Sequence, residues 1–253
     1  MKRLIASIMV FSAAAAAADF KDVNRTVPLS TTGLVMLETH KGSIQVTTWD
    51  RAEVEIKARV EAEANSSMDR RRFDGTDVSI DASADSVHIK TQYPDFKWCC
   101  SFEDDGSNPE VRYTIRMPRT ARLMIRDHRS DTQISDLQGA LSLQTHRGVA
   151  RVHNLAGPLD LATHRGDVTV DFASFTGESK VTTHRGTINL AIPKNSRFDI
   201  ETDYGRHASV ETDFSMITHL AGGRSGKVHG SVNGGGPALR IDTFRGDVRI
   251  HAK

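Results

Sequence analysis

Four histidine-arginine pairs stand at near-constant intervals and are the side chains best placed to do chemistry. The tetrapeptide Thr-His-Arg-Gly occurs at Thr145-His146-Arg147-Gly148, Thr163-His164-Arg165-Gly166 and Thr183-His184-Arg185-Gly186. A near copy, Asp127-His128-Arg129-Ser130, precedes them. The histidines are therefore 18, 18 and 20 residues apart. If equivalent residues stack, His128, His146, His164 and His184 form one column and Arg129, Arg147, Arg165 and Arg185 the next. Neighbouring coils lie about 4.8 Å apart. Adjacent guanidinium groups would then repel by roughly 0.9 kcal/mol in water, before screening. Asp131 and Asp167 would offset part of this, and bound anions the rest. Arginine forks hold carboxylates, phosphates and sulfates well. The expected partner is an anionic polysaccharide or another anionic envelope polymer, held more strongly once histidine protonates below about pH 6.5.

Other chemistries fit less well. A histidine column offers a weak transition-metal site, since two imidazoles can share a zinc ion at about 2.0–2.1 Å. The neighbouring arginines repel a cation, and no His-x-x-x-His or acid pair completes a metal centre, so no metal or cofactor is assigned. Asp199, Glu201, Asp203, Glu211 and Asp213 are the acids a glycan-active enzyme would use as general acid and base. A solvated strand face explains their alternation equally well, and the chain is expected not to be an enzyme. The two Arg-Gly-Asp triplets, Arg165-Gly166-Asp167 and Arg245-Gly246-Asp247, lie at corners where glycine serves the turn. The run from Gly222 to Lys227 lacks the full phosphate-loop pattern, because Val228 follows the lysine. Cys99 and Cys100 are the only cysteines. Adjacent Cα atoms lie about 3.8 Å apart, below the usual disulfide span, so this redox candidate is a thiol pair, an intermolecular bond or a strained bridge.

The elements that position the corners are strands. Apolar residues alternate into each corner (Leu141 and Leu143, Leu159 and Leu161, Leu239 and Ile241) and out of it (Val168 and Val170, Ile188 and Leu190, Val248 and Ile250). Period two is the strand period. A second glycine corner follows at Gly139, Gly157 and Gly177. Continuing by 20 from His184 reaches Tyr204, Arg224 and Phe244, each beside a glycine, for seven equivalent positions. The last turn reads Thr243-Phe244-Arg245-Gly246. The expected fold is all-β: a single-chain β-solenoid of stacked 18–20-residue coils over 119–253. Residues 19–118 supply a less regular β-rich N-terminal cap with one short helix, continuous with the coils. The helix is expected over 65–73, behind Asn65, Ser66 and Ser67. Strands are expected over 54–60, 78–80, 87–89 and 111–117. The segment 34–44, with Thr39-His40-Lys41-Gly42, is another copy of the strand-corner unit.

Three segments carry a family resemblance. They are Val111-Arg112-Tyr113-Thr114-Ile115-Arg116-Met117-Pro118, the repeated strand-glycine-strand unit, and Val232-Asn233-Gly234-Gly235-Gly236-Pro237 with the strands after it. Over most of residues 30–252 the chain resembles the bacterial putative-adhesin family of extracytoplasmic β-solenoid domains. The resemblance implies architecture and an adhesin-like scaffold or binding module, with no reaction. Corners in that family are mostly Ser, Asn and Gly with an acid. His-Arg-Gly is this chain's departure from them.

Composition sets the remaining bounds. The 253 residues hold 33 Lys and Arg against 32 Asp and Glu. Residues 1–18 carry Lys2, Arg3 and no acid, which leaves 31 minus 32, or −1, for residues 19–253. No nucleic-acid partner is expected at that balance. Residues 1–18 read as a secretory signal peptide: a basic start, an apolar run over 4–11 and small residues before a cut after Ala18. No later stretch reaches the roughly 20 apolar residues of a membrane span. The expected address is extracytoplasmic, periplasmic or secreted. Oligomeric state has no signature in the sequence.

Overall fold

A computed structural model describes residues 19–62, 66–94, 107–220 and 226–253. Its strands in chain order are β1 Phe20–Pro28, β2 Leu34–Glu38, β3 Lys41–Trp49, β4 Glu53–Glu61, β5 Asp77–Ala82, β6 Ser86–Gln92, β7 Glu110–Pro118, β8 Arg122–Arg126, β9 Arg129–Ser135 and β10 Leu141–Arg147. They continue as β11 Ala150–Leu155, β12 Leu159–Arg165, β13 Val168–Phe172, β14 Ser179–Arg185, β15 Ile188–Ile192, β16 Phe198–Thr212, β17 Met216–Leu220, β18 Gly226–Val232 and β19 Ala238–Ala252. One helix, α1 Ser67–Gly75, separates β4 from β5. Its first turn is capped by the Ser66 hydroxyl, which accepts from the Asp69 N–H at 3.0 Å.

All the strands join one 19-stranded sheet that runs as two ladders. In one, the order is β5-β6-β2-β8-β10-β12-β14, then the first half of β19, the first half of β16, β18 and β17. In the other it is β1-β4-β7-β3-β9-β11-β13-β15, then the second halves of β19 and β16. The middle of each ladder is parallel; both ends of the first and the β1-β4-β7 end of the second are antiparallel. Inward side chains from both ladders meet in one core. Leu143, Leu161, Val181 and Ile241 form one buried row, and Val152, Val170, Leu190 and Ile250 another, every one of them at 0–1% exposure. Each such side chain stabilises the fold by roughly 1.5–3 kcal/mol.

The expectation of a simple solenoid is corrected by the pairing. In a solenoid each coil stacks on the one before it. Here β19 lies between β14/β15 and β16, so the last coil of the chain is an internal rib. At the other end β2 and β3 insert between β6/β7 and β8/β9. The result is a closed, largely parallel, β-helix-like body with extra antiparallel strands, not a run of sequential coils. The order expected from spacing, with Tyr204 next after His184, is corrected too. Arg185 pairs with Arg245, which makes Phe244 the neighbour of His184. Arg224 lies outside the described residues.

The glycine corner explains the insertion. A Cβ at Gly186 would sit 2.0 Å from the Gly166 carbonyl oxygen, and one at Gly246 would sit 2.0 Å from the Gly186 oxygen. Both glycines have positive φ, +151° and +121°. Gly246, with no Cβ and a positive φ, fits the place next to Gly186 without overlap. The coil 198–212 offers Ala208 there, opposite Gly246, and its register slips between Tyr204 and His207. It packs outside β19.

Candidate functional site

The corner column is a stack of rings. His40 lies on His128 with centroids 4.6 Å apart and planes 10° apart. His128 and His146 follow at 4.9 Å, His146 and His164 at 4.7 Å, and His164 and His184 at 4.7 Å with planes 3° apart. Phe244 closes the row on His184 at 5.0 Å and 18°. Tyr93 meets the other end edge-on to His40 at 5.9 Å. The structure thus brings His128, His146, His164 and His184 together and adds His40 and Phe244. The signal for His40 was its Thr-His-Lys-Gly context, and for Phe244 its Thr-Phe-Arg-Gly context. His146, His164, His184 and Phe244 each sit where a strand turns, with a buried or half-buried threonine before the ring (Thr145, Thr163, Thr183, Thr243) and an arginine after it; Asp127 precedes His128, and Lys41 follows His40.

Stacking sets the protonation of the rings. Burial, and then the charges of neighbouring His and Arg groups, hold His146 and His164 below the ordinary imidazole value. His40 is lowered for the same leading reason, with His128, Arg129 and Lys41 adding to it and Asp127 opposing it. Asp127 accepts from the Ser130 N–H at 2.7 Å, the Ser130 hydroxyl at 2.6 Å and the Thr145 hydroxyl at 2.8 Å. Burial nonetheless raises its carboxyl, outweighing those bonds.

The rings are poorly arranged for a metal. Their nitrogen lone pairs lie in the ring planes, and near-parallel planes point them side by side rather than at a shared centre. Among the described residues no group of three or more His, Cys, Asp or Glu is placed to hold a metal ion. Cys99 and Cys100 lie outside the described residues, as do residues 1–18.

The arginines form the next row. Arg129 pairs in register with Arg147, Arg147 with Arg165, Arg165 with Arg185, and Arg185 with Arg245. Lys41 continues the row below Arg129 and is held by Glu110 at 3.4 Å. All five arginines are exposed, and none has an ion pair among the described residues. The acids expected to offset them are otherwise engaged. Asp131 accepts from the Val149 N–H at 2.9 Å and Asp167 from the Thr187 N–H at 2.8 Å. Each carboxylate ties its corner to the coil above. In the two Arg-Gly-Asp triplets the acid is likewise committed: Asp167 as described, and Asp247 to the Ser209 hydroxyl at 2.7 Å.

The acids considered for catalysis are paired across strands. Asp199 accepts from the Ser231 hydroxyl at 2.6 Å. Glu201 faces Arg240 at 3.1 Å, Asp203 faces Lys227 at 3.2 Å, Glu211 faces Arg249 at 3.8 Å and Asp213 faces His251 at 3.2 Å. Each pair braces β16 against β18 or β19.

The Toastrack DUF4097 family model matches residues 22–251. The chain belongs to that family. A comparison of the chain with curated proteins finds no match. Among solved structures, a "putative cell adhesion protein" from Clostridium sporogenes is similar over 93% of this chain and 100% of its own, with a TM-score of 0.56 and 10% identity. A "putative adhesin" from Bacteroides fragilis is similar over 92% and 97%, with a TM-score of 0.44 and 11% identity. The likeness to the Clostridium protein is one of fold. No helix among the described residues is long and apolar enough to cross a membrane.

Proposed function

We propose that this Toastrack domain is a non-catalytic, extracytoplasmic binding module of adhesin type, and that its basic row contacts an anionic polymer. One observation carries the reading. Arg129, Arg147, Arg165, Arg185 and Arg245 are exposed, in register and without ion-pair partners among the described residues. Like charges held at strand spacing repel one another, and the nearest acids, Asp131 and Asp167, are bonded to backbone N–H groups. A linear ligand with repeated carboxylates, phosphates or sulfates relieves that repulsion at every step. The secretory character of residues 1–18 and the cell-adhesion description of the Clostridium protein fit this reading.

The test is binding of acidic polysaccharides and lipopolysaccharide at pH 5.5 and 7.5 and at two salt concentrations. The variant Arg147→Ser/Arg165→Ser/Arg185→Ser runs beside the wild type. Affinity is expected to fall with salt, because the contacts are exposed charges, and to be lost in the variant while its melting temperature holds. Salt-insensitive binding, or equal binding by the variant, overturns the reading.

A further inference from the structure

A second feature lies on the strand side of the ring stack, away from the arginines. There an open groove of about 750 Å³ runs across the outer face. Two rows bound it. One is the ring row, ending in His184 and Phe244. The other is the outward row two residues earlier, in which Ala162, Thr182, Asp242 and Asp203 follow one another in register. Among the described residues neither lysine nor arginine lines it.

The ring row stops within this groove. His184 covers one face of Phe244. The position beyond Phe244 belongs to Gly205, whose backbone lies so close that a Cβ there would meet the Phe244 carbonyl oxygen at 2.4 Å. Gly205 brings no ring to continue the stack, and Phe244 is 52% exposed. An aromatic face is thus left open at the end of a column in which every ring before it is covered. Beside it, Asp242 is held by Lys180 at 3.6 Å and Asp203 by Lys227 at 3.2 Å. Each carboxylate has a compensating cation on the far side and lone pairs left to accept hydrogen bonds. Among the described side chains the groove therefore has acceptors whose charge is balanced, which selects neither an anion nor a cation.

A sugar ring has the matching chemistry: an apolar C–H face and a rim of hydroxyl donors. We propose that the groove binds a neutral pyranose unit of a glycan, stacked on the open face of Phe244, with hydroxyls donating to Asp203 and Asp242. A concave, mostly apolar site with a few convergent polar groups is the usual form of a small-ligand site. This site is separate from the arginine row and stands without it.

The experiment titrates the protein with cellohexaose, maltohexaose and chitohexaose, three uncharged probes, by NMR at 50 and 500 mM sodium chloride. At least one probe is expected to saturate, with shifts concentrated at residues 162, 182, 203–205 and 242–244. Salt is expected to change the affinity by less than about twofold, since no net charge is engaged. Phe244→Ala is expected to weaken binding at least tenfold, Phe244→Trp to retain it, and the triple arginine variant to leave it unchanged. The exposure of Phe244 keeps the Ala variant folded, which a melting curve checks. Failure of all three probes to saturate, or undiminished binding by Phe244→Ala, overturns the proposal.

Discussion

At the residue scale, the ring stack couples folding to pH. His40, His146 and His164 titrate lower in the folded protein than in an unfolded chain, where imidazole has its ordinary value of 6.5. Between those values the unfolded chain binds more protons, so stability rises with pH there. The stack is therefore at full strength above neutrality and loses stability as pH falls through 6.5. Melting temperature is expected to be level from pH 8 to 7.5 and to drop toward pH 5. The variant His146→Phe/His164→Phe, which keeps rings in the column, should flatten that drop. The same shift bears on ligand binding: extra positive charge from these rings arrives below pH 6.5, not at it. The corner glycines give a second residue-scale prediction. A Cβ at Gly166 would lie 1.8 Å from the Gly148 carbonyl oxygen, at a φ of +153°. Gly166→Ala should destabilise the fold by about 3 kcal/mol, from overlap and backbone strain together. Chemical denaturation followed by circular dichroism measures it.

At the element scale, a lysine of the sheet holds the carboxyl end of the helix. Lys21 of β1 donates to the carbonyl oxygens of Phe73, Asp74 and Thr76 at 2.7, 2.8 and 3.2 Å, at the end of α1 where the helix dipole favours a cation. Lys21→Ala should loosen α1 by about 0.5–1 kcal/mol, read as faster amide exchange confined to residues 67–76. The helix itself was legible in the sequence, because a capping serine precedes a short run with one apolar anchor. The strands were legible for the same kind of reason. Alternation marks which side chains face inward, and it held for Leu141 and Leu143 as for Val248 and Ile250. Partner choice was not legible. Tyr204 and Phe244 both fall on the 20-residue interval after His184, and that interval cannot say which coil lies against it. That depends on whether a glycine stands at the corner, and the difference between Ala208 and Gly246 has meaning only once the strands are in register. His40 escaped the candidate set because 88 residues separate it from His128 and lysine replaces the arginine beside it. The acids of β16 read correctly as an outward face. Their lysine and arginine partners sit on β18 and β19, which no local pattern links to β16.

At the scale of the whole molecule, the internal position of β19 makes a sharp prediction. Ending the chain after residue 237 would only trim the last coil of a sequential stack. Here it removes the rib that joins β14 and β15 to β16, and with it the core side chains Leu239, Ile241, Val248 and Ile250, all at 0–1% exposure. The truncated protein should lose its cooperative melting transition altogether rather than show a modest drop. Circular dichroism against temperature distinguishes the two. The basic row crosses the same junction, since Arg245 extends it past Arg185.

That junction also orders events in time. A chain emerging from the ribosome or from a translocation pore presents its amino end first, and most domains begin to fold in that order. In this molecule β16 and the hairpin beyond it emerge before the strand they must pack against. A partly made chain has β14 and β15 at an open edge until β19 is made. Completion waits for the final fifteen residues or so of sheet. β19 is thus the strand whose arrival closes the body.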